Sequence, residues 1–356
     1  MSRPEAKLWE TLRQAGLVQG EVPVNDTDES PWYVKAILAF SGWLAAIFLL
    51  GFVGVGLRLI MESEVASLIT GAVMMAAAYG ILRVPKNEFL EHLALAVSIA
   101  GQAMAVLALA RMLDNHGAPL WAWVALLEVA LAVVMPNYVH RVLSSYAAAT
   151  ALAMTLAAVR LPYLAQGIVM LLAAWIWLHE FRYPRHLRGL QACGYGLVIA
   201  LIQMTGMGLF FEESTRWLIE YAPDAVLAPA WVGELVTGAV MLYVVAQLLR
   251  RQGLSLAAPF ALTALLGTVL FGGVSLEAHG IALGLTIILL GFAGGNRVLL
   301  GLGIASLLFY ISSYYYLLEK TLLYKSGILL AVGAVLLVLR WLLTVVASRP
   351  QEAVDG

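Results

Sequence analysis

From residue 36 onward the chain is a succession of long apolar runs, each closed by a short cluster of charged, glycine or proline residues. The runs have cores at 36–57, 65–82, 90–110, 120–135, 142–159, 163–178, 190–211, 231–249, 256–271, 279–293, 298–314 and 324–343. An amide left unpaired in hydrocarbon costs several kcal/mol, so lipid-exposed backbone must be helical or part of a closed barrel. These runs are far longer than the roughly 9–11 residues of a membrane strand. They predict an all-α, polytopic transmembrane bundle of about twelve spans, the shorter cores completed by flanking residues. At Arg160 with Pro162 and at Gly294-Gly295-Asn296-Arg297, apolar sequence resumes at once on the far side. Length decides the first case: residues 142–178 as one helix would reach about 55 Å, well beyond a ~30 Å hydrocarbon layer, so the chain must turn back.

The first 31 residues have a different pattern. Leu8, Trp9, Leu12, Ala15 and Leu17 fall near helical spacing with Gly16 as a stop, which predicts a short cytosolic helix. The stretch 21–31, rich in Asp, Glu, Pro and Asn, reads as a tether. No apolar core opens the N-terminus, so no cleaved signal is expected. The organisation is therefore 1–31 helix and tether, 32–347 bundle and 348–356 cytosolic tail.

Composition agrees with this picture. Hydrophobic residues make up 62% and charged residues 12% of 356, too few to cover a soluble domain of this length. Acids open helices at Glu64, Glu88, Glu91 and Glu234, and bases close them at Arg83, Arg111, Arg250 and Arg251, as the helix dipole favours. Sorting Lys and Arg onto alternate sides puts fifteen with the termini and six opposite, accounting for all 21. That bias predicts both termini in the cytoplasm. Trp32, Tyr33, Trp121, Trp123, Trp217, Tyr221, Trp231 and Trp341 sit near span ends as interface anchors.

Several chemistries are disfavoured. A net charge of −1 offers no basic surface for a nucleic-acid backbone. The single cysteine, Cys193, permits no internal disulfide and no thiolate cluster. The chain lacks G-x-x-x-x-G-K-[ST], H-E-x-x-H and G-x-S-x-G, so it advertises no nucleotide hydrolysis, zinc proteolysis or serine esterase geometry. No cofactor and no metal are expected; the lipid bilayer is the expected partner.

Pro31-Trp32-Tyr33 leading into Ser41-Gly42-Trp43-Leu44-Ala45, and the closing run from Asn296-Arg297 through Ser312-Ser313-Tyr314-Tyr315-Tyr316 to Lys325-Ser326, resemble a bacterial membrane-protein family catalogued as domain of unknown function 4401. The resemblance implies a multi-span protein of the bacterial inner membrane, working beside other small membrane proteins. It brings no catalytic motif that could be transferred to these residues.

Glu128 is the sharpest candidate for chemistry. It lies near the middle of the fourth run, in Leu126-Leu127-Glu128-Val129, where neither dipole nor interface accounts for it. Intramembrane acids are costly and mark functional sites by default. Glu128, with Gln102 at mid-depth of the third run, forms a candidate proton or cation site; the alternative is a carboxyl hydrogen-bonded across a helix interface as structural glue. Glu91-His92 and His179-Glu180 pair an acid with an imidazole, but adjacent helical residues diverge by about 100°, and both pairs fall at span ends where solvated charge is ordinary. Glu277 with His279 is similar on the outer side and would need a further ligand to hold a metal. Pro136, Pro162 and Pro259 fall at span ends, where proline costs least. Gly280 and Gly284, and the stripe Gly51, Gly54 and Gly56, read as close helix packing.

Three functions remain open at this level. The first is a non-enzymatic protein of membrane assembly or envelope maintenance. A proton- or cation-coupled transporter using Glu128 is the second. The third is an enzyme on lipid-linked substrates using Glu212, Glu213 and Arg216.

Overall fold

The computed structural model describes residues 62–84, 88–113, 117–210, 230–276 and 279–317, together with 9–11, 13–16 and single positions between 37 and 51 and between 323 and 341. Every regular element among them is helical. The long helices are α1 (Glu64–Leu82), α2 (Glu88–Met112), α3 (Ala118–Val134), α4 (Tyr138–Ala158), α5 (Leu164–His179), α6 (Leu187–Phe210), α7 (Ala230–Arg251), α8 (Pro259–Ser275), α9 (Ile281–Ala293) and α10 (Arg297–Leu317). Two short 3₁₀ turns, Glu180–Arg182 and Pro184–His186, join α5 to α6. The first and last predicted spans lie outside the described residues apart from single helical positions, as does most of the N-terminal segment; there, Gly16 has φ +70° where the sequence places a stop.

Among the described residues five helical stretches are long and apolar enough to cross a membrane: Glu64–Leu82, Phe89–Met112, Leu164–Arg182, Pro184–Met207 and Trp231–Arg251. The distribution of side chains says the same. Leu262, Leu266 and Val269 of α8 and Phe292 of α9 face outward, while Ser98, Ser144, Thr237, Thr286 and Glu128 are buried. In water this would be costly twice over, once for exposed apolar area and once for desolvated polar groups; lipid removes the first penalty.

α1 pairs with α2, α3 with α4, and α9 with α10; α4 packs on α6, α5 lies against α6 and α7, and α7 carries α8. The core fills with Val169, Val198, Leu201, Val244, Leu283 and Tyr310. Successive helices alternate in direction, which their end contacts reveal. At one end Arg141, after the α3–α4 turn, lies against Gly189 at the start of α6, and Glu180 lies against Gly294 after α9. At the opposite end Tyr163, before α5, meets Gly233 of α7, and Tyr310 of α10 covers Gly280 before α9.

Both debatable boundaries are sharp reversals. Gly295 has φ +63°; its N–H donates to Phe292 O (3.2 Å) and that of Asn296 to Gly291 O (2.8 Å), closing α9 in a glycine C-cap. The Asn296 carboxamide oxygen then caps α10, accepting from Val298 N (3.1 Å) and Leu299 N (3.0 Å). α4 closes with the same bonds, Arg160 N to Ala157 O (3.0 Å) and Leu161 N to Leu156 O (2.8 Å), yet the residue at φ 68° is Arg160. A side chain there costs roughly 1–2 kcal/mol, partly offset by its smaller freedom in the unfolded chain. Arg160→Gly is therefore expected to stabilise the protein by about 1 kcal/mol, visible as a raised unfolding midpoint in detergent; a lowered midpoint would refute the strain.

Candidate functional site

α3 turns its one acid inward. Leu120, Val124, Glu128 and Leu131 form a buried stripe at helical spacing, whereas Trp123, Leu126, Val129 and Val133 face out. Glu128 is only 3% exposed and faces the neighbouring helix α4 rather than lipid.

α4 begins one turn earlier than the apolar pattern predicts, at Tyr138 rather than residue 142. The reason is capping. The Asn137 side chain accepts from His140 N (3.0 Å), starting the helix before its apolar run opens. Arg141 points the other way, donating from Nε to Met135 O (2.6 Å) and from Nη2 to Val133 O (3.2 Å), and so satisfies carbonyls left open at the end of α3. With both helix ends fixed across the 135–137 turn, His140 is directed into the bundle and is 2% exposed.

There the imidazole joins two polar pairs. Ser98 and Gln102 stand one turn apart on α2, and His140 and Ser144 one turn apart on α4, each pair on one helix face. His140 Nε2 lies 2.8 Å from Ser98 Oγ and 3.3 Å from Gln102 Nε2. Nδ1 lies 3.2 Å from Ser144 Oγ. Gln102 Nε2 also donates to Ser98 Oγ (3.4 Å), and the Ser144 hydroxyl interacts electrostatically with the Glu128 carboxyl. Glu128 Oε2 has no hydrogen-bond partner among the described residues.

The donor inventory gives this chain a direction. An amide nitrogen can only donate, so with Gln102 assigned in this orientation Ser98 accepts from it and directs its own proton to His140 Nε2. A neutral ring that accepts at Nε2 carries its proton on Nδ1 and donates to Ser144, leaving the Ser144 hydroxyl proton for Glu128. The bonds run from Gln102 through His140 to Ser144, whose hydroxyl proton is left to turn toward Glu128. Imidazole can take a proton at one nitrogen and release another from the second, so Ser98, His140, Ser144 and Glu128 can pass a proton between α2 and α3 while Gln102 orients the Ser98 hydroxyl.

The structure thus brings Glu128 and Gln102 into one network, but through His140, Ser98 and Ser144, which the apolar-run analysis passes over. His140 falls between counted spans. Its signal is nonetheless in the chain: Asn137 as an N-cap three residues before it, and two polar pairs spaced by four in otherwise apolar helices.

The acid–imidazole neighbours do diverge as their spacing requires. His179 folds back so that Nδ1 meets Trp175 O at 2.8 Å, its ring stacked on that indole. Glu180 departs from the expectation of a solvated charge: it is 1% exposed and accepts from Gln191 Nε2 at 3.0 Å, because the 3₁₀ turn after α5 rolls it under the α9–α10 reversal. His92 is half-buried, its Nδ1 without a hydrogen-bond partner among the described residues. Glu234 also departs, since its carboxyl is buried between α7 and α8 instead of serving the helix dipole. Gly280 and Gly284 both pack on α10, against Tyr310 and Leu307. Cys193 is half-buried and free. Glu277, Glu212, Glu213 and Arg216 lie outside the described residues. Among the described residues no three His, Cys, Asp or Glu side chains stand close enough to hold a metal ion.

Comparison with curated proteins and with solved structures gave no match. The family described as Domain of unknown function (DUF4401) matches residues 31–346, which take in Pro31-Trp32-Tyr33, the whole polar network and the closing tyrosine run. The chain belongs to this family.

Proposed function

We propose that this protein is a multi-span protein of the bacterial inner membrane, with about twelve spans and both termini in the cytoplasm, and that it moves protons between α2 and α3 through Ser98, His140, Ser144 and Glu128, with Gln102 orienting the Ser98 hydroxyl. The basic-residue bias of fifteen against six supports the orientation. One observation carries the functional reading: a buried imidazole bonds a hydroxyl–amide pair on one side and, on the other, the serine that faces a buried carboxyl. Holding five polar groups in an apolar bundle is costly unless they are bonded, and proton relays are a common reason for keeping acids and imidazoles there.

The test is proton flux into proteoliposomes under an imposed potential, read with an enclosed pH indicator. Wild-type protein is expected to conduct, and Glu128→Gln, which keeps shape and hydrogen bonding, to lose at least tenfold. Conduction by Glu128→Gln at the wild-type rate would defeat the reading.

A second reading draws on the sealing of Ser98, Glu128, His140 and Ser144, each at most 3% exposed. Here the network is a hydrogen-bonded seam between helices, and the protein serves membrane assembly beside other small membrane proteins. No flux from wild type, with partners co-purifying unchanged with Glu128→Gln, would favour it.

A further inference from the structure

A second Glu–Ser–His group lies at the opposite end of the bundle. Glu234 of α7 is buried and accepts from Ser275 Oγ of α8 through Oε2 at 3.2 Å. Ser275 is itself oriented by Ala282 N of α9, which donates to its hydroxyl at 3.4 Å. Glu234 Oε1 faces His279 Nε2 at 4.0 Å, the imidazole 48% exposed and the carboxyl 8%.

The two groups are built alike. In each, the acid sits on one helix of a consecutive pair and the serine on the next, Glu128 on α3 with Ser144 on α4, Glu234 on α7 with Ser275 on α8. Histidine and serine are four residues apart in both, as His140 then Ser144 and as Ser275 then His279. α4 leaves the end of the bundle that holds Gly189 and Asn296, whereas α8 arrives at the end that holds Tyr163 and Gly280. Reversing the order therefore places the histidine nearer its own end of the bundle and the serine deeper, in both cases.

Resting on the proton-conducting reading, we infer that Glu234, Ser275 and His279 form the second proton-exchange group of the protein, opening on the face opposite the 135–137 turn. His279 exchanges protons with the medium, and Glu234 with the interior. In the inward step, protonated His279 loses its Nε2–H bond and Glu234 gains an Oε1–H bond; an imidazolium–carboxylate pair becomes a neutral imidazole and a neutral carboxyl. Closing 4.0 Å to hydrogen-bond length requires the half-exposed ring to shift by roughly 1 Å. Ser275 fixes the far oxygen of Glu234 meanwhile. Toward this end α10 carries Tyr310, whose hydroxyl donates to Ile202 O at 3.2 Å, followed by Tyr315 and Tyr316, and Tyr163 stands at the start of α5.

The experiment uses the full chain in proteoliposomes, with wild type, Glu128→Gln, Glu234→Gln and His279→Gln side by side. His279→Gln and Glu234→Gln are each expected to lower proton flux at least tenfold with unchanged unfolding midpoints. Wild-type flux from His279→Gln, alongside a block in Glu128→Gln, would overturn this inference and leave the proton-conducting reading standing. Absence of flux from wild type would overturn both. His279 is half-exposed, so its variant decides the matter even if Glu234→Gln fails to fold.

Discussion

His140→Gln is expected to fold like the wild type and to conduct protons at least tenfold more slowly. The amide can donate toward one serine and accept from the other, standing in for Nδ1 and Nε2 at 3.2 and 2.8 Å. It cannot take a proton on one side and release one on the other, so the bonded seam survives while the relay is cut. His140→Ala is the harsher change. It leaves the Ser98 and Ser144 hydroxyls buried without the ring they bond, at roughly 1–3 kcal/mol for each unsatisfied group. Opening a cavity at a 2%-exposed site adds to that cost, for a total of about 4 kcal/mol. Flux in proteoliposomes and thermal unfolding in detergent separate the two variants. Glutamine conducting at the wild-type rate would show that the imidazole is not the carrier. Alanine unfolding at the wild-type midpoint would show that the serines are satisfied in another way.

The helices were legible in the sequence because lipid enforces them: an apolar run of sufficient length has no other way to pair its amides. The ends of α1, α5 and α9 fall within two residues of the apolar boundaries for that reason. α4 does not, because its first turn is specified by a cap. Asn137 and Arg141 satisfy backbone groups on either side of the 135–137 turn, and an apolar count is blind to that bonding. The same blindness hid His140 and left Glu128 looking like an isolated acid. Burial is also missed at Glu180, read as a solvated charge, and at Glu234, read only as an acid at a helix start. Residues near the end of an apolar run look solvated in one dimension, but the α9–α10 reversal covers the first and Ser275 meets the second. Which side of a helix faces its neighbours is a property of packing, and a single chain read by periodicity carries little of it when nearly every position is apolar.

Gly101→Val is expected to be strongly destabilising, at about 4 kcal/mol. α1 and α2 cross with backbone against backbone. A Cβ on Gly101 would lie 2.7 Å from Gly71 O and 3.0 Å from Met74 Cβ, and one on Gly71 would lie 2.5 Å from Gly101 O. A carbonyl cannot turn aside as a flexible side chain can, so the helices must separate. Separation also breaks the bond from Ser67 Oγ to Met104 O, 3.2 Å long on the same face of α1. The consequence reaches the site, since Gly101 is adjacent to Gln102 and three residues from Ser98. Displacing α2 draws both away from His140, so Gly101→Val is expected to lower proton flux as well, although no residue of the relay has changed. Gly80 provides the comparison within α1: open space surrounds its Cβ position, and Gly80→Ala is expected to be neutral or to stabilise by about 0.5–1 kcal/mol. Unfolding midpoints in detergent test the contrast. If the two substitutions shift the midpoint equally, the close crossing of α1 and α2 does not hold the hairpin together.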